Sequence, residues 1–229
     1  MDAIIICVGD EILSGDVTDL NSTWLAKRLA ELGTIVKRIE VIPDDVAAIS
    51  STVKSSRADK VLITGGLGPT HDDVTRQAIA VAFGRKLARN DEAVKVVEAA
   101  AARRHASPRP QSYVMAEIPE GAAVISNPVG AAPGFIIDGR VYVFPGVPAE
   151  MKSMFELVKD DFNGKKLFVD WLVTRRPESD IVSELNEAVR MFPEVSFGSY
   201  PSDVVKVKMK SYDPERLRAA KEWLAGRIL

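Results

Sequence analysis

Two short stretches combine residues that seldom share a purpose. Residues 64–75 read TGGLGPTHDDVT and residues 9–16 read GDEILSGD. In each, glycines that leave backbone N–H groups bare stand beside carboxylates: Gly65, Gly66 and Gly68 with Asp72 and Asp73, and Gly9 with Asp10 and Glu11. Bare amides at a helix start favour an anion, phosphate above all, whereas the acids repel one. A divalent cation between them resolves the conflict, because Mg²⁺ takes one or two carboxylates together with phosphate oxygens. The chemistry that follows is attack of water on a metal-bridged phosphoester or pyrophosphate, one carboxylate orienting the water.

Plainer roles stand beside this one. Thr70 with Asp73 three positions on has the spacing of a capping box, and an acid at a helix start is stabilising without a ligand. For Asp73 alone the cap is the better reading; for the glycine-bearing loops taken together, a ligand site is. The loop lacks the GKS or GKT ending of a Walker-A sequence, and it does not fit the dinucleotide fingerprint. Ser14 has no histidine or lysine near it to act as base and reads as a turn residue. His71 is balanced between solvent exposure and steering a phosphate, whereas His105 closes a helix as a favourable cation. Asn21 serves either as a helix cap or as a pocket-facing side chain. Trp24 belongs to a core, and Lys27, Arg28, Arg103 and Arg104 read as solvated helix charges. One cysteine and two histidines exclude a structural zinc site.

These loops need elements to hold them. Apolar runs at Ala3–Val8, Thr34–Ile42 and Lys60–Thr64 alternate with amphipathic segments, the pattern of parallel strands joined by helices. The segment NSTWLAKRLAELG sets Trp24, Leu25, Leu29 and Leu32 on one stripe and ends at Gly33. Asp44 and Asp45 open a helix through Val46, Ile49 and Val53. A further one is expected from Thr70, with Val74, Ala78, Val81 and Ala82 buried and Gly84 as its stop. Asn90 caps another. Phe135–Asp138 and Arg140–Phe144 read as a hairpin turning at Asp138-Gly139, which makes the sheet mixed. The loops NPVGAAPG and FPGVP follow strand ends as well, and Pro148 suits the first turn of a helix over 149–159. Ligands in such sheets sit beyond the carboxyl ends of the strands. Asn163-Gly164 marks a domain boundary, dividing the chain into 1–163 and 164–229. The second part reads strand, helix, strand, strand, helix.

Across 229 residues, 30 Lys and Arg against 32 Asp and Glu leave a formal charge of −2. Bulk electrostatics therefore ask for neither nucleic acid nor an anionic membrane and leave room only for a local basic patch. Cys7, inside the run AIIICV, suits a reduced cytoplasm, and neither a membrane span nor a signal peptide is read.

GDEILSGDVTDLNSTWLAKRLAELG, TGGLGPTHDDVT, NPVGAAPGF and FPGVPAEM, in this order and spacing, resemble the amino-terminal region of the competence/damage-inducible (CinA) protein family. That resemblance implies an α/β fold: a three-layer α/β/α molybdopterin-binding-like domain with a mostly parallel mixed sheet. FGSYPSD followed by VKVKMK resembles the small α+β KH-like module that follows it in that family. The implied activity is metal-dependent nucleotide pyrophosphatase action on ADP-ribose or a related dinucleotide, with Mg²⁺, Mn²⁺ or Co²⁺ and K⁺. The alternatives are molybdopterin binding or adenylyl transfer in molybdenum cofactor biosynthesis, and noncatalytic nucleotide binding. By the same resemblance Asp72, Asp73 and Glu11 are catalytic candidates, and Asp10, Glu11 and Asp72 hold the metal. Gly65, Gly66, Gly68, Thr70, Asn127 and Gly130 would cradle phosphates or ribose, Gly9 and Asn21 would face the ligand, and Pro145, Gly146 and Pro148 would shape the wall. A homodimer is implied. The deamidase domain of longer family members has no counterpart here, so its activity is not carried over. Residues 164–229 lack the GxxG loop of a KH clamp, which argues against nucleic-acid binding; pairing subunits or covering the pocket is the expected role of this part.

Overall fold

Runs of β-branched residues buried on both faces make the centre of a sheet, and here they do so five residues at a time. The computed structural model describes residues 1–229, which divide into units Met1–Gly164 and Lys165–Leu229. In the first, β1 (Asp2–Val8), α1 (Asp10–Leu13), α2 (Asn21–Glu31), β2 (Ile35–Ile42), α3 (Val46–Ser55), β3 (Lys60–Thr64) and α4 (Thr75–Phe83) follow one another. Then come β4 (Leu87–Arg89), α5 (Asp91–Arg103), β5 (Glu117–Pro119), β6 (Ala123–Ile125), β7 (Gly134–Ile137), β8 (Val141–Phe144) and α6 (Pro148–Val158). The main sheet has the order β2-β1-β3-β8-β7-β6, parallel through its first four strands and antiparallel in the last two pairings.

Alternation along β1 shows the layering directly, since successive side chains point to opposite faces. Ile4, Ile6 and Val8 pack with Ile49, Val53, Ala78, Ile79 and Val97 from α3, α4 and α5. Ala3, Ile5 and Cys7 pack with Leu25, Leu29, Met151 and Phe155 from α2 and α6. The result is the expected three-layer α/β/α arrangement with a mixed sheet. The β7–β8 turn falls at Asp138 and Gly139, both with positive φ (53° and 60°), the conformation a tight hairpin requires.

Some local expectations are corrected. The helix after the glycine loop begins at Thr75, and its buried face is Thr75, Arg76, Ala78, Ile79 and Ala80, while Val81 is exposed. The phase moved because an arginine occupies the inner face, which a hydrophobic pattern does not register. The small ladder of β4 with β5 went unread because three-residue strands carry too little periodicity. Asp45 and Asn90 cap α3 and α5 as expected, each accepting from backbone N–H groups.

The second unit contains β9 (Phe168–Thr174), α7 (Val182–Met191), β10 (Ser196–Pro201), β11 (Val205–Ser211) and α8 (Pro214–Ile228). Its antiparallel sheet has the order β10-β11-β9. Leu172, Val207 and Met209 on one face of that sheet bury against Ala188 of α7 and Leu217, Ala220 and Leu224 of α8. No helix of either unit is long and apolar enough to cross a membrane.

Between sheet and α6, Phe155 is fully buried, stacked on Phe162 at 5.2 Å and edge-on to Trp24 at 5.5 Å. Replacing it with alanine removes that packing and leaves a cavity, so Phe155→Ala is expected to cost about 3–5 kcal/mol, measured as a fall in the urea midpoint with the slope unchanged.

Candidate functional site

β1, β3 and β8 are neighbours, so the segments after Val8, Thr64 and Phe144 emerge side by side. Gly65 leaves β3 with φ 107°, and a Cβ there would run into the carbonyl oxygen of Val8. Gly66 has φ 65°, and its Cβ would meet the Thr75 hydroxyl. Glycine is required at both positions. Above them opens a cleft of about 670 Å³ whose walls include Glu11, Asp44, the Gly65–Pro69 backbone, Asp72, Asp73, Arg104, Pro145, Gly146 and Glu150. A side pocket of about 110 Å³ shares Val8, Glu11 and Gly146 with it and reaches Asp19 and Asn21.

The glycine loop is held from inside. Asp73 accepts from the Gly68 amide (2.8 Å), the Thr70 amide (2.9 Å) and the Thr70 hydroxyl (2.6 Å). The residues expected to form a capping box thus close a loop ahead of the helix, and Thr70 is engaged by Asp73 rather than presented to a ligand. Beneath, the buried Arg76 guanidinium donates to the carbonyls of Leu67 (2.5 Å) and Gly68 (3.0 Å). Burial pulls the Arg76 pKa down, against the attraction of Asp73 and Glu117. The Gly66 carbonyl accepts from the Thr75 amide (3.2 Å), which turns the Leu67 amide of the same peptide away from α4, and no intramolecular hydrogen bond engages the Gly66 or Leu67 amide. α6 begins alongside at Val147 with no side-chain cap.

Acids gather opposite. Asp44 accepts from the Asp10 amide (3.0 Å), and burial first, then the charges of Glu11, Asp10 and Asp72, raise its pKa. Asp72 is exposed, and the Thr70 hydroxyl, shared with Asp73, its own backbone N–H and His71 hold its carboxyl below the usual range. Glu11 and Asp72, far apart in sequence, therefore line one cleft as the electrostatic argument requires. The expected metal set is not self-sufficient: no three His, Cys, Asp or Glu side chains come together as a group that could hold a metal ion. A dication fits here only if a ligand's phosphate oxygens complete its shell, which is the way Mg²⁺ is commonly held.

Asn21, at the start of α2, is buried, and its Nδ2 donates to the Gly146 carbonyl at 2.7 Å. That bond fixes the amide's orientation and leaves Oδ1 buried without a partner. Thr75 Oγ1, beneath Gly66, is the other buried side-chain atom without one. Asn127, by contrast, has both ends engaged: Nδ2 donates to Ala132 O (2.8 Å) and Glu150 (2.7 Å), and Oδ1 accepts from the Val129 and Gly130 amides. Asn127 and Gly130 shape their loop instead of lining the main cleft, because their polar groups are already satisfied. Gly9 and Asp10 likewise stand behind the cleft, the Gly9 amide bonded to the Ile42 carbonyl. Pro148 lines the side pocket.

Sequence reasoning missed Asp44, Arg76, Thr75 and Glu150. It placed Arg104 in solvent, where it in fact borders the cleft, and Arg103, which donates to the Gly130 carbonyl at 2.6 Å. An arginine three residues after Asp73, on the side of α4 that faces the sheet, was the one signal available for Arg76.

Comparison with known proteins extends over the whole chain. Residues 4–163 match the family model described as probable molybdopterin binding domain. Residues 166–228 match the model described as FAD synthase, middle domain, which replaces the expected KH-like assignment for that unit; strand order alone did not separate the two. A protein of Archaeoglobus fulgidus is 43% identical over 223 residues, covering 96% of this chain and 95% of its own. One of Pyrococcus furiosus is 35% identical, covering 99% and 97%. Among solved structures, CinA of Thermoplasma acidophilum, titled as of unknown function, aligns with a TM-score of 0.65 at 34% identity, covering 71% of this chain and 99% of its own.

Arg76→Met removes the donor from two inward carbonyls and is expected to cost about 2–4 kcal/mol, with the loop at 65–70 becoming the first site of limited proteolysis. A second expectation concerns Cys7, whose thiol burial and the neighbouring Asp19 push up to about 12. A raised pKa favours the neutral folded form, so this contribution to stability is intact below about pH 9 and is lost as pH climbs toward 12. Native protein at pH 8 should resist iodoacetamide, and Cys7→Ala should flatten the alkaline limb of the stability curve.

Proposed function

Because the chain belongs to the family of probable molybdopterin binding domains, we propose that its first unit binds a phosphate-bearing pterin of the molybdopterin type in the cleft beyond β1, β3 and β8. The observation that carries this reading is the orphaned buried atom Asn21 Oδ1, whose residue lines the side pocket that opens off that cleft. A buried acceptor left unpaired costs about 1–3 kcal/mol, a cost that a ligand N–H or O–H would remove. Pterin rings present such donors along one edge. In this reading the phosphate sits on the unengaged Gly66 and Leu67 amides, near the start of α6, and the ring edge reaches toward Asn21.

The crowding of Asp44 by Glu11, Asp10 and Asp72 supports a second reading, metal-dependent hydrolysis of ADP-ribose or a related dinucleotide. One or two of the rim acids Glu11, Asp44 and Asp72 would then hold Mg²⁺, Mn²⁺ or Co²⁺ together with the ligand's phosphates. A bound dication would supply polarisation of the phosphorus and relief of the repulsion among these acids. The chain's own part would be to seat the phosphate on the amides and to orient water with an acid of the rim.

Calorimetric titration with a pterin monophosphate, ATP and ADP-ribose, with and without each dication, separates the readings. Pterin binding weakened about tenfold or more by Asn21→Ala is the expected result, with release of pyrophosphate when ATP is added if adenylyl transfer follows. Formation of AMP and ribose 5-phosphate from ADP-ribose, without pterin binding, selects the hydrolase. Binding of none of the three overturns both.

A further inference from the structure

The three-stranded sheet of the second unit buries only one of its faces. The helices α7 and α8 pack on the side that carries Leu172, Val207 and Met209. On the other side β9 presents Val169, Trp171 and Val173, all exposed, Trp171 at 42%. Pairing register sets Lys210, Lys208 and Lys206 of β11 directly beside those three residues, in that order. On the far side of β11, Ser196, Gly198 and Tyr200 of β10 complete the same face. This surface holds three lysines and no acid. None of the three lysines takes part in an ion pair; the nearest carboxylate on β9, Asp170, belongs to the opposite face and pairs with Lys221 at 2.7 Å.

The aromatic groups are arranged with the lysines rather than scattered. Trp171 and Tyr200 lie with ring centroids 5.6 Å apart across the sheet, with Lys208 Nζ 5.1 Å from the Trp171 centroid. Alternate residues of a strand are about 6.6–6.8 Å apart, so Lys206, Lys208 and Lys210 form an evenly spaced row of positive charge beside two exposed ring faces.

From this we propose that the exposed sheet face of residues 165–229 is a binding platform for single-stranded nucleic acid. Bases would stack on Trp171 and Tyr200, and the backbone phosphates would follow the lysine row, the combination by which sequence-tolerant single-strand binders work. A second copy of this chain is the poorer occupant, because two-fold pairing of this face sets lysines against lysines. A duplex is poorer as well, since it hides its base faces from the two rings. The absence of a GxxG loop excludes a KH clamp and has no bearing on a sheet-face mode.

Fluorescence anisotropy of the full chain with a labelled 12-nucleotide oligouridine, the matching deoxy-oligomer and a duplex, at 50 and 200 mM salt, tests the platform. Expected are binding of both single strands in preference to duplex, a salt slope corresponding to about two or three phosphate contacts, and a loss of at least about tenfold in Trp171→Ala and in Lys206→Gln/Lys208→Gln/Lys210→Gln. Each variant is checked by circular dichroism, and Tyr200→Phe, which keeps the ring, should retain binding. The proposal is overturned if the chain binds none of the oligomers at 50 mM salt, or if affinity survives both variants. It is equally overturned if the lysine variant abolishes only binding to phosphatidylserine vesicles, or only self-association in sedimentation.

Discussion

The rim of the first unit depends on a buried charge. Arg76 sits inside α4 and takes the carbonyls of Leu67 and Gly68, which fixes which way the peptide planes of the glycine loop face. The Leu67 carbonyl turned inward sends the amide of the same peptide, Gly68 N–H, outward to Asp73, and the Gly66 carbonyl, taken by the Thr75 amide, leaves Leu67 N–H facing the other way; the positive φ of Gly65 and Gly66 makes this turn sterically free. Removing a guanidinium from water is costly unless its donors are satisfied. Here two backbone carbonyls and the field of Asp73 offset the cost. The same Asp73 ties Gly68 to Thr70 from the solvent side. The loop is gripped at two levels, by Arg76 from beneath and by Asp73 at the cleft wall.

This explains which parts of the site could be read from sequence. The glycines and the acids of TGGLGPTHDDVT announce themselves by type, and the strand-loop-helix alternation places them at carboxyl ends. The meeting of Glu11 and Asp72 rests on β1 and β3 being neighbours, a condition that apolar runs alone leave open and that the β1–β3 pairing meets. Arg76 was not legible, because a lone arginine on a helix is ordinarily solvated and its partners are backbone atoms without a sequence signature. Asp44 looked like a helix opener because it lies beside the true cap, Asp45; only the return of β2 next to β1 carries it to the cleft. Asn127 differs for the opposite reason: its type suits a ligand, but its own loop and Glu150 of α6 already engage its polar groups.

In the second unit the strand alternation was legible and its meaning was not. FVDWLVT and VKVKMKS each show strict period-2 exposure, which identifies half-buried strands. A solvated outer face ordinarily mixes charges of both signs. Here the outer face is all lysine, valine and aromatic, a property visible only once register places Trp171, Lys208 and Gly198 in one row.

The acids and amides of the first unit pull against each other when the cleft holds only water. Asp44 is kept above its usual pKa by burial and by like charges, and two buried polar atoms lack partners. Chain segments selected for stability alone would pair or exclude such groups, as nearly all buried polar atoms are paired in folded proteins. Asn21 Oδ1 and Thr75 Oγ1 lie on different elements, α2 and α4, and each is the sole exception near its loop. Asn21 lines the pocket beside the cleft, so a ligand there can reach its unpaired oxygen, whereas Thr75 is closed off beneath Gly66. A ligand with a donor edge and a phosphate would relieve Asn21 Oδ1 and engage the open amides, and a dication carried with the phosphate would also relieve the acids. The free energy withheld from folding at this rim thereby becomes free energy of binding.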